Sequence, residues 1–116
     1  MEYHPKQGDI VRMCLNPTMG REQQGEHRPV VIASNADFNA FGRGMAMICP
    51  ITNTNKGISL HIPLDNRTKT TGVVLCDQSK IVDLTKRNAQ YVEAMPKDLV
   101  RAVCNIVMSI SEFDDW

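Results

Sequence analysis

Three polar stretches interrupt otherwise apolar runs, and their residue types suit chemistry on a phosphodiester. Arg21-Glu22-Gln23-Gln24-Gly25-Glu26-His27-Arg28 precedes Pro29-Val30-Val31-Ile32, Thr52-Asn53 follows an apolar run over 45–51, and Asp77-Gln78 closes Val73-Val74-Leu75-Cys76. A carboxylate can take the proton of an RNA 2′-OH. A guanidinium matches a doubly anionic phosphorane with two parallel hydrogen bonds, where an ammonium supplies a point charge. A hydroxyl can orient the phosphate or share a proton. On spacing alone other readings stay open. Arg28 ahead of Pro29 also suits a solvated strand entry and Thr52 a turn. Asp77, directly after four apolar residues, needs a partner if it is buried.

The elements that must bring these groups together are mostly strands. Gly8-Asp9 leads into a strand over 10–15. Residues 16–28 hold almost no apolar side chain and form a surface loop, uncommon at that length in a compact domain unless it functions. The run 29–34 is a strand buried on both faces, with Pro29 at its first position. Residues 36–41 make a short helix ended by Gly42, and Phe38 and Phe41, at helical spacing, are expected in the core. A second buried strand covers 45–51 and a polar turn 52–57. Ile58, Leu60, Ile62 and Leu64 alternate with polar or proline positions, the period of a half-exposed strand. A basic, threonine-rich loop covers 66–71, and further strands cover 72–77 and 80–84. Leu99, Val103, Ile106, Val107 and Ile110 then mark one face of a C-terminal helix opened by Pro96. The expected fold is mainly β with α, a small SH3-like or OB-like barrel covered by an amphipathic helix. Strand ends meeting at one rim would gather Arg28, Thr52 and Asp77.

Composition bounds the function. The chain has 116 residues, so one domain spanning 1–116 is expected. Hydrophobic residues at 42% and charged residues at 22% exclude a disordered or collagen-like chain. Lysines and arginines equal aspartates and glutamates, 13 each, which argues against a histone-like binder that relies on excess cations. Residues 38–82 nonetheless carry five cations against two carboxylates, a basic middle able to line a groove for a short polyanion. No apolar run approaches the roughly 20 residues of a membrane helix, and the polar N-terminus reads as no secretory signal. Cys14, Cys49, Cys76 and Cys104 lack zinc-knuckle spacing and read as small hydrophobes, three of them within apolar runs. His4, His27 and His61 form no metal motif. No cofactor or metal is expected, and the compartment reads as a reducing cytoplasm.

Gly8-Asp9-Ile10-Val11, Pro17-Thr18-x-Gly20-x-Glu22-Gln23-Gln24-Gly25, Arg28-Pro29-Val30-Val31, Phe38-Asn39, Cys49-Pro50-Ile51-Thr52 and Thr71-Gly72-Val73-Val74-Leu75-Cys76-Asp77-Gln78 resemble the MazF/PemK (Kid, ChpB) toxins, in unbroken order over about residues 8–110. The Glu-Gln-Gln-Gly-x-x-Arg-Pro spacing looks most like the PemK/ChpB branch. The resemblance implies the SH3-like CcdB/PemK barrel and the toxin of a bacterial type II toxin–antitoxin pair. It implies a metal-independent, sequence-specific endoribonuclease acting on single-stranded RNA, usually mRNA. Attack by the 2′-OH would leave a 2′,3′-cyclic phosphate and a 5′-OH. It further implies a homodimer and an antitoxin whose disordered acidic C-terminal segment covers the RNA site, with operator DNA reached only through that antitoxin.

Carried over by motif, Arg28 corresponds to the arginine on the scissile phosphate, Thr52 to its threonine partner, and Asp77 to the general base of the PemK branch. Glu22 and Gln23 fall in the loop that gates the site. In the Kid toxin the residue two before the aspartate is an arginine assigned as general acid. Here it is Leu75, so that role is vacant or moved, with Arg21 and His27 as candidates, or with Arg28 serving alone as the MazF branch suggests. Asn53, Lys56, Arg67, Lys69 and Gln78 are expected to add RNA contacts. Two other readings stay open. One is a gyrase poison of the CcdB kind, although this chain ends on Trp116 without the Gly-Ile that follows tryptophan in that toxin. The other is a non-catalytic RNA- or protein-binding barrel.

Overall fold

The computed structural model describes residues 3–16, 25, 27–55 and 57–115. Its strands are β1 (Asp9–Met13), β2 (Arg28–Ile32), β3 (Met45–Thr52), β4 (His61–Pro63), β5 (Val73–Leu75), β6 (Lys80–Asp83) and β7 (Gln90–Ala94). The helices are α1 (Ala36–Phe41) and α2 (Lys97–Ile110). The strands form one antiparallel path, β4-β5-β3-β2-β1-β7, with β6 also paired to β3. This is the mainly β architecture with a C-terminal helix that the residue patterns imply.

The continuous apolar runs exist because both faces of the sheet are covered. Ile10, Val31, Cys49, Ile51, Val74, Met95 and Val103 pack on one face, joined by Leu99, Ile106 and Val107 of α2. Val11, Met13, Leu15, Val30, Ile32, Ala46, Ile48 and Val82 pack on the other. Neighbours such as Ile10 and Val11 therefore point opposite ways, and both are wholly buried. The first half of β3 pairs with β6 and its last two residues with β5. Pro50, which has no N–H to offer a second neighbour, falls at the changeover.

Several expectations need correcting. Phe41 is 88% exposed and Phe38 is also exposed, because α1 is short, buries none of its residues and lies at the edge of the core. Its ends are local: Asn35 Oδ1 accepts from Phe38 N at 3.0 Å, and Gly42 stops it. The alternating stretch 58–64 is strand only at His61–Pro63. A turn at Ser59-Leu60 leaves Ile58 and Leu60 exposed, while Ile62 and Leu64 reach the core. The strand expected over 72–77 ends at Leu75, and Cys76–Gln78 form a 3-10 turn. Leu75 is buried and Asp77 exposed, so the two do not share a strand face. Strand β7, unforeseen, is exposed along most of its length, Tyr91 and Val92 included, and it is recruited by pairing with β1 rather than by burial. Cys49 and Cys76 are buried as expected, whereas Cys14 and Cys104 are only partly so.

Candidate active site

The β2–β3 ladder pairs Val30 with Pro50 and Val31 with Cys49. Continued by two residues, that register sets Arg28, first in β2, directly opposite Thr52, last in β3. Cross-strand partners share a face of the sheet, so guanidinium and hydroxyl arrive side by side. Both line a polar cavity of about 220 Å³ with Arg12, His27, Asn53, Lys69, Thr70 and Thr71.

Each wall is fixed by local chemistry. Arg28 Nη2 donates to the Ile51 carbonyl at 3.2 Å, which draws the guanidinium across to β3. Gly25, at φ +140°, lies against the Arg28 stem, where an added Cβ would come within 2.8 Å of Cδ. Thr52 Oγ1 accepts from Thr54 N at 3.3 Å. Its O–H proton has no acceptor among the described residues. Gly72, at φ +119°, brings the following strand so close that a Cβ there would stand 2.3 Å from the Thr52 carbonyl oxygen. Thr71 Oγ1 then donates to Asn53 Oδ1 at 2.9 Å, tying the 65–71 loop to the turn after β3. Arg12 Nη1 donates to the His27 carbonyl at 2.9 Å, holding the segment that enters β2.

The cavity thus gathers Arg12, Arg28 and Lys69 around a hydroxyl and an amide, with no carboxylate among the described residues that line it. Such a set accepts an anion. It can hold non-bridging phosphate oxygens in a geometry set before the ligand arrives.

Of the residues expected at the site, Arg28, Thr52, His27, Asn53 and Lys69 are brought together. Asp77 is not. Val73 pairs with Thr52, and Asp77 lies four residues beyond it, past the far end of β5. There its Oδ1 is 3.1 Å from His61 Nε2, and Gln78 shares the same 3-10 turn. His61 pairs with Leu75 across β4–β5; its side chain is 8% exposed against 37% for Asp77, and its Nδ1 is buried without a partner among the described residues. The expected rim of three groups is therefore a pair, because the chain leaves the strand before Asp77.

Arg67 also departs from expectation. It is not held out for a phosphate but forked between Asp65 and Asp98, with Nη1 and Nη2 each 2.9 Å from an Asp98 oxygen and Nη2 2.8 Å from Asp65 Oδ2. These hydrogen bonds hold the carboxyls of Asp65 and Asp98 below the usual range and raise Arg67 above its own. Arg21, Glu22, Gln23 and Lys56 lie outside the described residues. Arg12 was missed. Its one signal in the sequence is a cation inside the apolar run 10–15, at the position that alternation leaves exposed. His61 carried no signal that spacing could show. No group of three metal-binding side chains occurs among the described residues.

The profile of one protein family, described as "PemK-like, MazF-like toxin of type II toxin-antitoxin system", matches residues 6–111. The chain is similar to "Endoribonuclease PemK" of Escherichia coli, at 34% identity over 109 residues, covering 90% of this chain and 80% of that protein. The crystal structure of MazF (Form-I) from Deinococcus radiodurans superposes with a TM-score of 0.86 at 30% identity, covering 94% of this chain and 97% of that one. A MazE-MazF structure (Form-II) from the same organism matches with a TM-score of 0.81 at 26% identity, over 97% and 100% of the two chains.

Proposed function

The chain belongs to the PemK-like, MazF-like toxin family of type II toxin–antitoxin systems, and on that premise we propose that it cuts single-stranded RNA at the cavity built on Arg28 and Thr52. It is an endoribonuclease, the activity its curated relatives are named for. The observation that carries the assignment of the site is the cross-strand juxtaposition of Arg28 and Thr52 in a polar cavity that presents two further cations.

In this reading the 2′-oxygen attacks the adjacent phosphorus and the bond to the 5′-oxygen breaks. The products are a 2′,3′-cyclic phosphate and a 5′-OH. One proton leaves the 2′-OH and one is delivered to the departing 5′-oxygen. Arg28 receives the charge that develops on the phosphorane oxygens, and Thr52 donates its hydroxyl proton to one of them. Lys69 and Arg12 hold the phosphates on either side, and Asn53 faces a base or ribose. His27, which lines the cavity, takes the proton from the 2′-OH and gives it to the leaving 5′-oxygen. Asp77, held by His61 away from this cavity, acts as a base only where a second copy of the chain brings it to that copy's Arg28. The Asp77 and homodimer readings therefore stand together. An apolar groove of about 360 Å³ lined by Phe38, Ile81, Cys104 and Met108 supports a self-associating face.

The antitoxin partner is supported by the likeness to MazE-MazF structures. A segment rich in carboxylates would compete with RNA for the same three cations. As a toxin of this family it acts on RNA in the cytoplasm, as a single domain. No helix among the described residues is long and apolar enough to cross a membrane.

The test is incubation of the purified protein with a long single-stranded RNA in EDTA. Discrete fragments with 5′-OH ends are expected, and their loss in Arg28→Ala. Intact RNA together with inhibited gyrase supercoiling would overturn the reading in favour of a CcdB-like poison.

A further inference from the structure

Glu93 lies in β7, on a strand that contributes no residue to the cavity lining. Its carboxylate is nonetheless occupied by the cavity's outer wall. Oε1 accepts from Lys69 N at 3.1 Å, and Oε2 accepts from both Thr70 N and Thr70 Oγ1 at 2.9 Å. Strand β7 is registered on β1, where Ile10 pairs with Glu93, so the carboxylate stands on the same rigid sheet that carries Arg12. The loop's other ties run the same way. Arg67 fastens its start to α2 through Asp98, and Thr71 fastens its end to Asn53. Lys69 is the loop's one ammonium among the residues lining the cavity.

We propose that Glu93 is a positioning residue for RNA binding: it clasps two successive amides of the 65–71 loop and so fixes the Lys69 ammonium and the Thr70-Thr71 wall at the cavity. The inference rests on the reading of that cavity as the RNA site. Arg67, for all its charge, belongs to the fastening, and Lys69 is the cation the fastening presents. An anion near a polyanion site weakens binding by simple Coulomb repulsion, so a carboxylate here helps binding through its geometry and opposes it through its charge.

That gives a test whose sign separates the two effects. Binding of a fluorescent 20-nucleotide single-stranded DNA, which lacks the 2′-OH and is not cleaved, is followed by anisotropy across a salt series. Glu93→Ala removes a negative charge, so charge alone predicts tighter binding. The clasp predicts binding weaker by about three- to tenfold and a salt slope lower by roughly 0.7, the loss of one single-strand phosphate contact. Lys69→Ala shows the same change, and Glu93→Ala/Lys69→Ala is no weaker than Lys69→Ala alone. Glu93→Gln, which keeps one acceptor oxygen, falls between wild type and Glu93→Ala. Hydrogen exchange at the Lys69 and Thr70 amides accelerates in Glu93→Ala, while α2 amides keep their protection. Binding by Glu93→Ala equal to or tighter than wild type, additive losses in the double variant, or unchanged exchange overturns the inference. Wild-type protein that neither binds the strand nor cleaves RNA overturns the reading of the site, and the inference with it.

Discussion

Gly72→Ala is the most demanding test of the site's geometry, because it changes no functional group. The added Cβ would lie 2.3 Å from the Thr52 carbonyl oxygen and 2.8 Å from its carbon, where ordinary contact begins at 3.4 Å. The neighbour is backbone, so no side chain can swing aside. Either β3 or the Gly72 segment must retreat by about 1 Å, and a displacement of that size can cost ~100-fold in rate. A non-glycine residue at φ +119° adds backbone strain of about 1–3 kcal/mol. Together these lower the melting temperature by roughly 5–15 °C for a chain of this size. Gly57→Ala is the matched control: its φ is +68° but nothing lies within 4 Å of the new Cβ, so it carries strain without collision. Calorimetry gives stability, and EDTA-resistant cleavage of a long RNA at a temperature where both variants are folded gives rate. A Gly72→Ala protein that melts within 2 °C of wild type (about the shift of half a kcal/mol) and cleaves like Gly57→Ala would refute the close approach that sets Thr52.

Arg28→Ala should lower the cleavage rate about 100- to 1000-fold, the usual effect of deleting one oxyanion donor. Arg28→Lys should recover little of it, because an ammonium does not reproduce the fork that also reaches the Ile51 carbonyl. Asp77→Ala leaves the buried His61 imidazole without the one side-chain partner it has among the described residues and should cost about 1–3 kcal/mol in urea denaturation. His61→Leu in the same background should return part of that loss; no recovery would show that the contact does not contribute to stability. Burial pushes the Glu93 carboxyl up, but hydrogen bonds from Thr70 and Lys69 outweigh it and hold the group below its usual range. A depressed folded pKa contributes stability that is complete above the unfolded value and is lost as pH falls through the folded one. Wild type should therefore lose more melting temperature than Glu93→Ala between about pH 5 and pH 3, and parallel curves would contradict the clasp.

Most of the scaffold was legible along the chain, for a local reason. A strand buried on both faces must be apolar at every position, and 29–33 and 45–51 are. A helix covering one face must repeat at helical spacing, as 99–110 does. Arg28 and Thr52 were legible as chemistry because each sits where an apolar run gives way to polar residues. Phe38 and Phe41 misled because helical spacing shows that two rings share a side, not that anything covers it.

What only the tertiary structure decided was the company each group keeps. Register sets Arg28 against Thr52, and a shift of one residue would have turned one of them to the other face. The early end of β5 sends Asp77 to His61 instead of the cavity, a choice made by the turn and not by the motif around it. Arg67 and Lys69, two residues apart and alike in charge, take opposite parts because Asp98 and Glu93 approach from distant segments. Sequence by itself determined which residues could be buried and which could do chemistry, since both follow from side-chain type and local period. Partnership between groups tens of residues apart depends on pairing and close approach, and those exist only once the chain has closed.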